Sequence, residues 1–147
     1  MEERELEVLV FRVAGERVAV QLAAVEEVVL PERLHPLPDT PPELVGMLRL
    51  RGELIPVIDL AVSLALPATS AAAEVVLLRC GGRRIGVAVE ALVGVASYPA
   101  AALRPSPWER RSEQVLGVAG SGASLVTVID PQRILAGPGA APEEASR

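Results

Sequence analysis

The sequence predicts an all-β protein with short helices, built as two small five-stranded β-barrels that share a hydrophobic seam. Three observations predict this class: apolar runs of strand length, Gly and Pro residues between the runs, and a similarity between the two halves of the chain. The chain has 147 residues, of which 50% are apolar and only 2% aromatic. A chain of this length commonly forms one domain, and it can bury roughly 70% of its unfolded surface without metals or disulfides.

The similarity between the halves consists of two sequence blocks that occur twice in the same order. Residues 12–20 (RVAGERVAV) align with residues 79–87 (RCGGRRIGV) at an offset of 67 residues (79 − 12). Residues 54–59 (LIPVID) align with residues 125–130 (LVTVID) at an offset of 71 residues (130 − 59). Two ordered blocks with matching residues indicate a duplication, and two copies make a pseudo-symmetric domain and not a solenoid.

The strands are predicted from the period of their apolar residues. Residues 84–90 (RIGVAVE) alternate large apolar residues with small or polar ones, which is typical of a strand with one buried face. Residues 54–58 and 125–129 are continuous apolar runs, typical of strands covered on both faces. Pro56 has no backbone donor, so we expect an edge or a bulge there. Roughly ten short strands result, in two sets of five.

Three short helical segments are predicted between the strands. Asp130 is a good N-cap, Pro131 suits the first helical position, and Gly137 can end the helix. Asp59 begins a similar short segment. Residues 22–30 combine helical spacing with β-branched residues, and we interpret them as a helical turn that leads into a strand.

One domain is predicted over residues 1–137, with one subdomain at about 6–66 and a second at about 74–135. Residues 67–73 (PATSAAA) have the composition of a linker between these subdomains. Residues 138–147 contain Gly, Pro, Ala and Glu with nothing to bury, so we predict a disordered tail.

Charge and hydropathy exclude several classes of partner. The chain has 19 acidic and 14 basic residues and a net charge of −5, without a basic tract, so no nucleic-acid partner is expected. The acidic N-terminus differs from a signal peptide. No uncharged stretch has the roughly 18 to 20 apolar residues of a membrane span. We therefore predict a cytoplasmic protein that does not insert into a membrane.

The sequence lacks a set of residues that would support catalysis, and we predict no enzyme activity, no metal and no cofactor. His35 is the only histidine and lies in a Pro-rich segment, and Cys80, the only cysteine, precedes a predicted glycine turn. A catalytic role for either remains a distant alternative, because no base or nucleophile accompanies them. Asp59 and Asp130 could suggest a carboxylate pair, but N-capping explains both.

Two groups of charged residues are candidates for contact with a partner. Glu26 and Glu27 form either a solvated stretch or a contact surface. Arg49 and Arg51 flank Leu50 at strand spacing, so we expect their side chains to share one face. These arginines either pair with nearby glutamates or recognise an acidic protein surface.

With these residues placed, the sequence resembles the CheW family of chemotaxis coupling proteins from about residue 6 to residue 135. The most specific similarity is the string LRGELIPVIDL at residues 50–60. The other similar blocks are 10–16 (VFRVAGE), 25–28 (VEEV), 38–42 (PDTPP), 46–49 (GMLR), 85–90 (IGVAVE), 103–107 (LRPSP) and 128–130 (VID).

The resemblance implies two intertwined SH3-like barrels without enzymatic activity. It also implies an adaptor that couples the cytoplasmic tip of methyl-accepting chemoreceptors to the regulatory domain of a CheA-type histidine kinase. Such an adaptor would be recruited to receptor arrays at the inner membrane. The alternative is a regulatory or competitor module of a non-motility chemosensory pathway that binds only the kinase or only the receptor.

The resemblance also implies a set of partner-binding residues. Arg51 matches the family arginine of the R-G turn, and Glu27 matches an acidic residue linked to partner binding. Val28 would line a groove for a receptor helix together with Val25, and Arg49 stands where the family commonly has Asn. The complete set of expected partner-binding residues is Arg51, Glu27, Val25, Val28, Gly46, Arg49 and Val95.

Overall fold

The computed structural model describes residues 4–30, 34–35, 38–39, 42–64, 66, 74–106 and 115–136. The strands in these residues are β1 (Glu5–Val13), β2 (Glu16–Gln21), β3 (Val25–Val29), β4 (Leu34–His35), β5 (Leu44–Leu50), β6 (Glu53–Asp59), β7 (Glu74–Cys80), β8 (Arg83–Val89), β9 (Ala91–Pro99), β10 (Val115–Ala119) and β11 (Val126–Ile129). The α-helices are α1 (Leu60–Ser63) and α2 (Pro131–Ala136), and single 3-10 turns lie at Leu22–Ala24, Ala100–Ala102 and Gly122–Ser124. The predicted linker at 67–73 and the predicted tail at 138–147 lie outside the described residues.

The strands form two mixed sheets, and each sheet uses strands from both halves of the sequence. The first sheet has the order β10-β11-β2-β1-β9, and the second has the order β3-β7-β8-β6-β5-β4. The pairs β11–β2 and β6–β8 are parallel, and the other pairs are antiparallel. The β1–β2 hairpin therefore completes a sheet with three strands of the C-terminal half, and the β7–β8 hairpin joins strands of the N-terminal half. This exchange is the intertwining that the family resemblance implied.

The strand registers carry the pseudo-symmetry that the sequence predicts. Val57 pairs with Gly86 across the parallel strands of the second sheet, and Val128 pairs with Ala19 across those of the first sheet. Val57 and Val128 are related by the offset of the second sequence block, and Ala19 and Gly86 are related by the offset of the first. The second sheet differs by the additional two-residue strand β4 at its edge.

Three apolar clusters hold the described residues together. The largest lies between the sheets and includes Leu9, Phe11, Val20, Val76, Val87 and Ile129. The cluster within the curved second sheet includes Leu48, Ile55, Val57, Val75, Leu77 and Ala88. The cluster within the first sheet consists of Val8, Val10, Ala19, Val126 and Val128. Alternate residues of a strand point to opposite faces, so each sheet contributes one face to its own core and the other to the shared seam.

Both α-helices begin where the sequence predicts. The Asp59 carboxylate accepts a hydrogen bond from the Ala61 N–H at 3.0 Å, and the Asp130 carboxylate accepts one from the Gln132 N–H at 3.0 Å. Each cap satisfies a backbone donor of the first turn that has no partner within the helix. The predicted helix end at Gly137 lies outside the described residues. None of the helices in the described part of the chain has the length and apolar character required to cross a membrane.

Two predictions about strand burial are wrong, whereas the predicted turn into a strand at residues 22–30 is confirmed. Residues 85–89 of β8 are all buried, because the small residues of the second face lie over the core of the second sheet. Leu54 is 55% exposed, so the run at 54–58 is not covered on both faces throughout. The expected edge position of Pro56 is also wrong, because β6 lies between β8 and β5. Pro56 pairs with Met47 of β5 and directly precedes the residues of β6 that pair with β8, so its missing N–H interrupts no described pair with β8.

Candidate partner-binding surfaces

Strand β3 lies at one edge of the second sheet and carries three of the expected partner-binding residues. Among the described strands it pairs only with β7, and its register shifts at Glu26, which bulges between Val25 and Glu27. A bulge adds one residue to a strand and redirects the side chains beside it. Glu26 and Val28 are exposed, whereas Val25 is half-buried and packs against the core between the sheets.

Arg51 and Glu27 form an ion pair that joins strand β3 to the β5–β6 hairpin. Arg51 Nη2 lies 3.1 Å from Glu27 Oε1, with side-chain exposures of 67% and 34%. Arg51 and Gly52 are the two turn residues of the hairpin, with φ angles of 51° and 79°. Two positive φ angles in a two-residue turn match the twist of the flanking strands, although this conformation strains a residue with a side chain. An ion pair this exposed contributes at most about 1 kcal/mol, so both charges stay available to a partner.

Glu26 is the centre of a second group of ion pairs on the same sheet. Arg79 and Arg84 lie directly opposite each other on β7 and β8, where two like charges would repel. Glu26 Oε2 lies 2.7 Å from Arg79 Nη2, and Glu26 Oε1 lies 3.0 Å from Arg84 Nε. Arg84 also pairs with Glu53 of β6. The hydrogen bond from Arg79, together with the charges of both arginines, lowers the pKa of Glu26.

The sequence allows Glu26 and Glu27 to be either solvated or in contact with a partner. In the structure, each forms an ion pair within the chain. Glu26 is held between two arginines near the open end of the second sheet, and Glu27 is held by Arg51 alone. The Glu27 carboxylate is thus the one that a partner can reach by displacing a single exposed side chain. The structure brings Arg51 and Glu27 together, as the interpretation of arginines paired with nearby glutamates predicts.

Val95 lies on strand β9, at an edge of the other sheet. It is 62% exposed and pairs with Leu9 of β1. The offset of the first sequence block relates Val95 to Val28, which is 37% exposed on the edge strand β3. The two expected valines therefore occupy equivalent edge positions of two different sheets.

Gly46 and Arg49 lie on β5, on the other side of the second sheet from β3. Gly46 is buried, follows a register shift in β5 and pairs with Val57. Arg49 is exposed and pairs with Leu54. We predicted a shared face for Arg49 and Arg51 from the spacing of residues in a strand. That spacing does not apply to Arg51, because β5 ends at Leu50 and Arg51 lies in the following turn.

Two features of these surfaces were not predicted from the sequence. Arg79 and Arg84 were not singled out, although both fall in the repeated sequence block and flank a glycine turn. Leu92 and Val93 are exposed beside Val95 and extend the apolar edge of the first sheet. The offset that relates Val95 to Val28 was the available signal, since it places residues 91–95 on an edge strand equivalent to β3.

The other reactive side chains do not form a chemical site in the part of the chain that the structure describes. His35 was expected in a loop because of the prolines around it. It is instead an exposed residue of the two-residue strand β4. Cys80 is half-buried at the end of β7, and burial raises the pKa of its thiol, which disfavours the nucleophilic thiolate. Among the described residues, no group of His, Cys, Asp and Glu has the arrangement of a metal site.

Comparison with known proteins gives a consistent family. A family model described as a CheW-like domain matches residues 7–138. The chemotaxis protein CheW of Klebsiella aerogenes is 27% identical over 134 residues, which cover 88% of this chain and 81% of that protein. A probable chemotaxis protein CheW of Rhizobium etli is 27% identical over 103 residues, covering 69% of this chain and 66% of that protein.

A solved structure has the same fold. The crystal structure of the scaffolding protein TtCheW from Thermoanaerobacter tengcongensis superposes with a TM-score of 0.77 at 25% sequence identity. The match covers 86% of this chain and 90% of the other. The intertwined pair of sheets is therefore shared with a protein described as a scaffold.

Proposed function

The chain belongs to the CheW family of chemotaxis scaffold proteins, and on that premise we propose that it couples chemoreceptors of the methyl-accepting type to a CheA-type histidine kinase. The chain itself would catalyse no reaction. The observation that carries the proposal is the presence of two exposed edge strands, β3 and β9, on different sheets. An adaptor needs two surfaces that can be occupied at once, and these edges supply them.

The first surface, on the second sheet, suits the helical tip of a receptor. Val28 offers exposed apolar area, and the Arg51–Glu27 pair beside it offers one charge of each sign. A helix that presents an apolar stripe with flanking charges can dock on such a surface. Breaking the exposed Arg51–Glu27 pair costs little free energy, so each side chain can instead form an ion pair with a charged residue of the helix.

The second surface, around Val95 on β9, suits the regulatory domain of the kinase. In the part of the chain that the structure describes, the outer edge of β9 has no partner strand, so its backbone donors and acceptors can pair with another sheet. Val95 adds apolar area at the centre of that edge. A β-rich kinase domain with an exposed edge of its own would therefore fit here. Each contact is expected to be modest alone and to be strengthened by multivalency when the chain is recruited to a receptor array.

Control of the kinase then depends on differential affinity. Receptor signalling changes the activity of the kinase only if one signalling state of the receptor binds the adaptor–kinase complex more tightly than the other state does. The adaptor contributes the link between the two binding events and needs no catalytic group of its own.

The test is a reconstitution of this chain with receptor cytoplasmic fragments and the kinase. Arg51→Glu places two negative charges side by side and is expected to weaken receptor binding by about tenfold while changing stability by less than about 1 kcal/mol. Receptor-dependent phosphorylation is expected to fall in parallel. The matched control is Arg83→Glu, the same charge change at an exposed residue of the β7–β8 hairpin. Equal receptor binding by Arg51→Glu and Arg83→Glu contradicts the assignment of the surface.

The same experiment separates the alternative function. A competitor or regulatory module of a non-motility pathway would bind the receptor or the kinase, but never both in one complex. Binding of one partner that excludes the other would identify that module.

A further inference from the structure

Two arginines lie at one end of the apolar core of the first sheet. Arg12 and Arg17 lie directly opposite each other across the β1–β2 hairpin. They continue the alternate positions of Val10 and Ala19, which face the core of the first sheet, so they lie at the end of that core. Arg12 is exposed and Arg17 is half-buried.

A cleft of about 390 Å³ lies beside these arginines. Its walls also include Leu125 and Thr127, and Thr127 lies on β11, the strand that pairs with β2. Thr127 is only 3% exposed, and it alternates with Val126 and Val128 of the first-sheet core, so its side chain points to the opposite face from Arg12 and Arg17.

The pseudo-symmetry identifies what this cleft lacks. The first offset relates Arg12 and Arg17 to Arg79 and Arg84, which occupy the same place at the end of the second core. There, the carboxylates of Glu26 and Glu53 neutralise both arginines. The second sheet thus contains a complete version of the site, with its own acidic side chains in place.

The positions that supply those carboxylates carry other residues in the first sheet. The first offset places Glu26 on Val93, which likewise bulges from an edge strand, and the second offset places Glu53 on Ser124. Among the described residues, the side chain of neither Arg12 nor Arg17 has an ion pair or a hydrogen bond, although the Arg12 carbonyl accepts one from the Glu90 N–H. Two nearby acidic residues do not replace the missing carboxylates.

Those two acidic residues are Glu16 and Glu90. Glu16 borders the cleft and has an interaction partner of its own. Glu90 accepts a hydrogen bond from the Gly15 N–H at 3.2 Å and so is directed to the hairpin turn. Within the described residues, neither carboxylate pairs with the side chain of Arg12 or Arg17, so both guanidinium groups can pair with a carboxylate from outside the chain.

We propose that this cleft binds an acidic protein segment, whose carboxylates occupy the place that Glu26 and Glu53 fill in the second sheet. The occupant is an extended segment with Glu at alternate positions, since alternate side chains of a strand point the same way and reach both arginines. Arg guanidinium groups bind carboxylates through charge-assisted hydrogen bonds. The cleft uses no residue of the Arg51–Glu27 pair, and the proposal does not depend on the coupling function.

The test is a titration of the full chain, followed by NMR of its backbone amides, at low ionic strength, where exposed charges are least screened. The probe is the capped peptide Gly-Glu-Ala-Glu-Gly, and the matched control is Gly-Gln-Ala-Gln-Gly. The acidic peptide is expected to shift the amides of Gly122, Leu125 and Thr127 to saturation, and the neutral peptide is expected to leave them unchanged. Inorganic phosphate is titrated in parallel to distinguish a protein segment from any small anion.

Two variants test the site from opposite directions. The double substitution Arg12→Gln and Arg17→Gln removes both charges and is expected to weaken peptide binding by at least about tenfold. Val93→Glu keeps both arginines but supplies an internal carboxylate at the position equivalent to Glu26, and it is expected to weaken binding to a similar degree. Arg83→Gln, an exposed arginine of the other sheet, is expected to bind the peptide like the unmodified chain.

Any of four results overturns the proposal. These are no saturable shift with the acidic peptide, equal shifts with the neutral peptide, unchanged binding by the double arginine variant or by Val93→Glu, and saturation by phosphate at the same concentration as the peptide.

Discussion

The substitution Gly86→Ala tests whether the second sheet is packed as tightly as the burial of strand β8 indicates. A Cβ atom at Gly86 would lie 2.9 Å from Val57 Cγ2, 2.9 Å from Val75 Cγ1 and 3.4 Å from Leu77 Cδ2. Valine is stiff about its χ1 angle, so neither methyl group can move away without leaving its preferred rotamer. The equivalent residue of the first sheet is Ala19, which packs against Val8 and Val128.

The size of the effect follows from two opposing terms. Overfilling a packed core costs about 1–3 kcal/mol. Replacing glycine in a strand by alanine returns about 0.5–1 kcal/mol, because the unfolded chain loses conformational freedom. We therefore predict that Gly86→Ala lowers the free energy of unfolding by about 0.5–2 kcal/mol.

Urea denaturation measures this loss as a lower midpoint, by up to about 1 M, with an unchanged slope. Val75→Ala removes one of the two methyl groups that obstruct the new Cβ atom. Gly86→Ala is therefore expected to cost less in a Val75→Ala background than in the unmodified chain, which a double-mutant cycle measures. A Gly86→Ala protein as stable as the unmodified chain, or an equal cost in both backgrounds, refutes this account of the packing.

Three further predictions concern other parts of the molecule. The folded-state pKa of Glu26 is lowered from 4.5, so its ion pairs stabilise the fold above that pH and the contribution is lost as the pH falls. The difference in unfolding free energy between the unmodified chain and Glu26→Gln is therefore expected to be larger near neutral pH than in acid. A difference that does not change with pH contradicts a stabilising role for these ion pairs. Asp59→Ala is expected to cost about 1 kcal/mol in urea denaturation and Asp59→Asn much less, because Asn also caps helices; equal losses argue against capping. Val28→Asp is expected to weaken receptor binding and Val95→Asp kinase binding, and a reversed or shared effect in a pairwise binding assay contradicts the division of surfaces.

Local features of the fold were predictable from sequence because short-range chemistry determines them. The caps at Asp59 and Asp130 depend on a side chain and a backbone donor two residues away. The turn at Leu22–Ala24 and the strand after it depend on adjacent residues. The duplication was visible because both copies kept their turn residues and the same order of blocks.

Strand partners were not predictable in the same way. The period of β1 and β7 indicates a strand but does not specify its neighbour, and the neighbours of both lie far away in the sequence. The burial of β8 on both faces depends on the approach of Val57 and Val75 to Gly86, which alternation along one strand cannot reveal.

The candidate surfaces were predictable only in part. Pairing of Arg51 with a nearby glutamate was one of two interpretations, and its partner Glu27 could not be named because β3 and the β5–β6 hairpin lie apart in the strand order. The division of the surfaces between two sheets depends on the exchange of hairpins, which places Val95 on a different sheet from Val28. The lack of a described partner for the side chains of Arg12 and Arg17 became apparent only by comparison with Arg79 and Arg84 in the folded chain.

The central claim is that one chain holds a receptor and a kinase on separate surfaces at the same time. The most direct measurement is the affinity of the chain for the kinase regulatory domain, first alone and then with saturating receptor fragment. The account predicts equal or tighter kinase binding when receptor is bound, with all three proteins in one complex. Displacement of the kinase domain by the receptor fragment would contradict it.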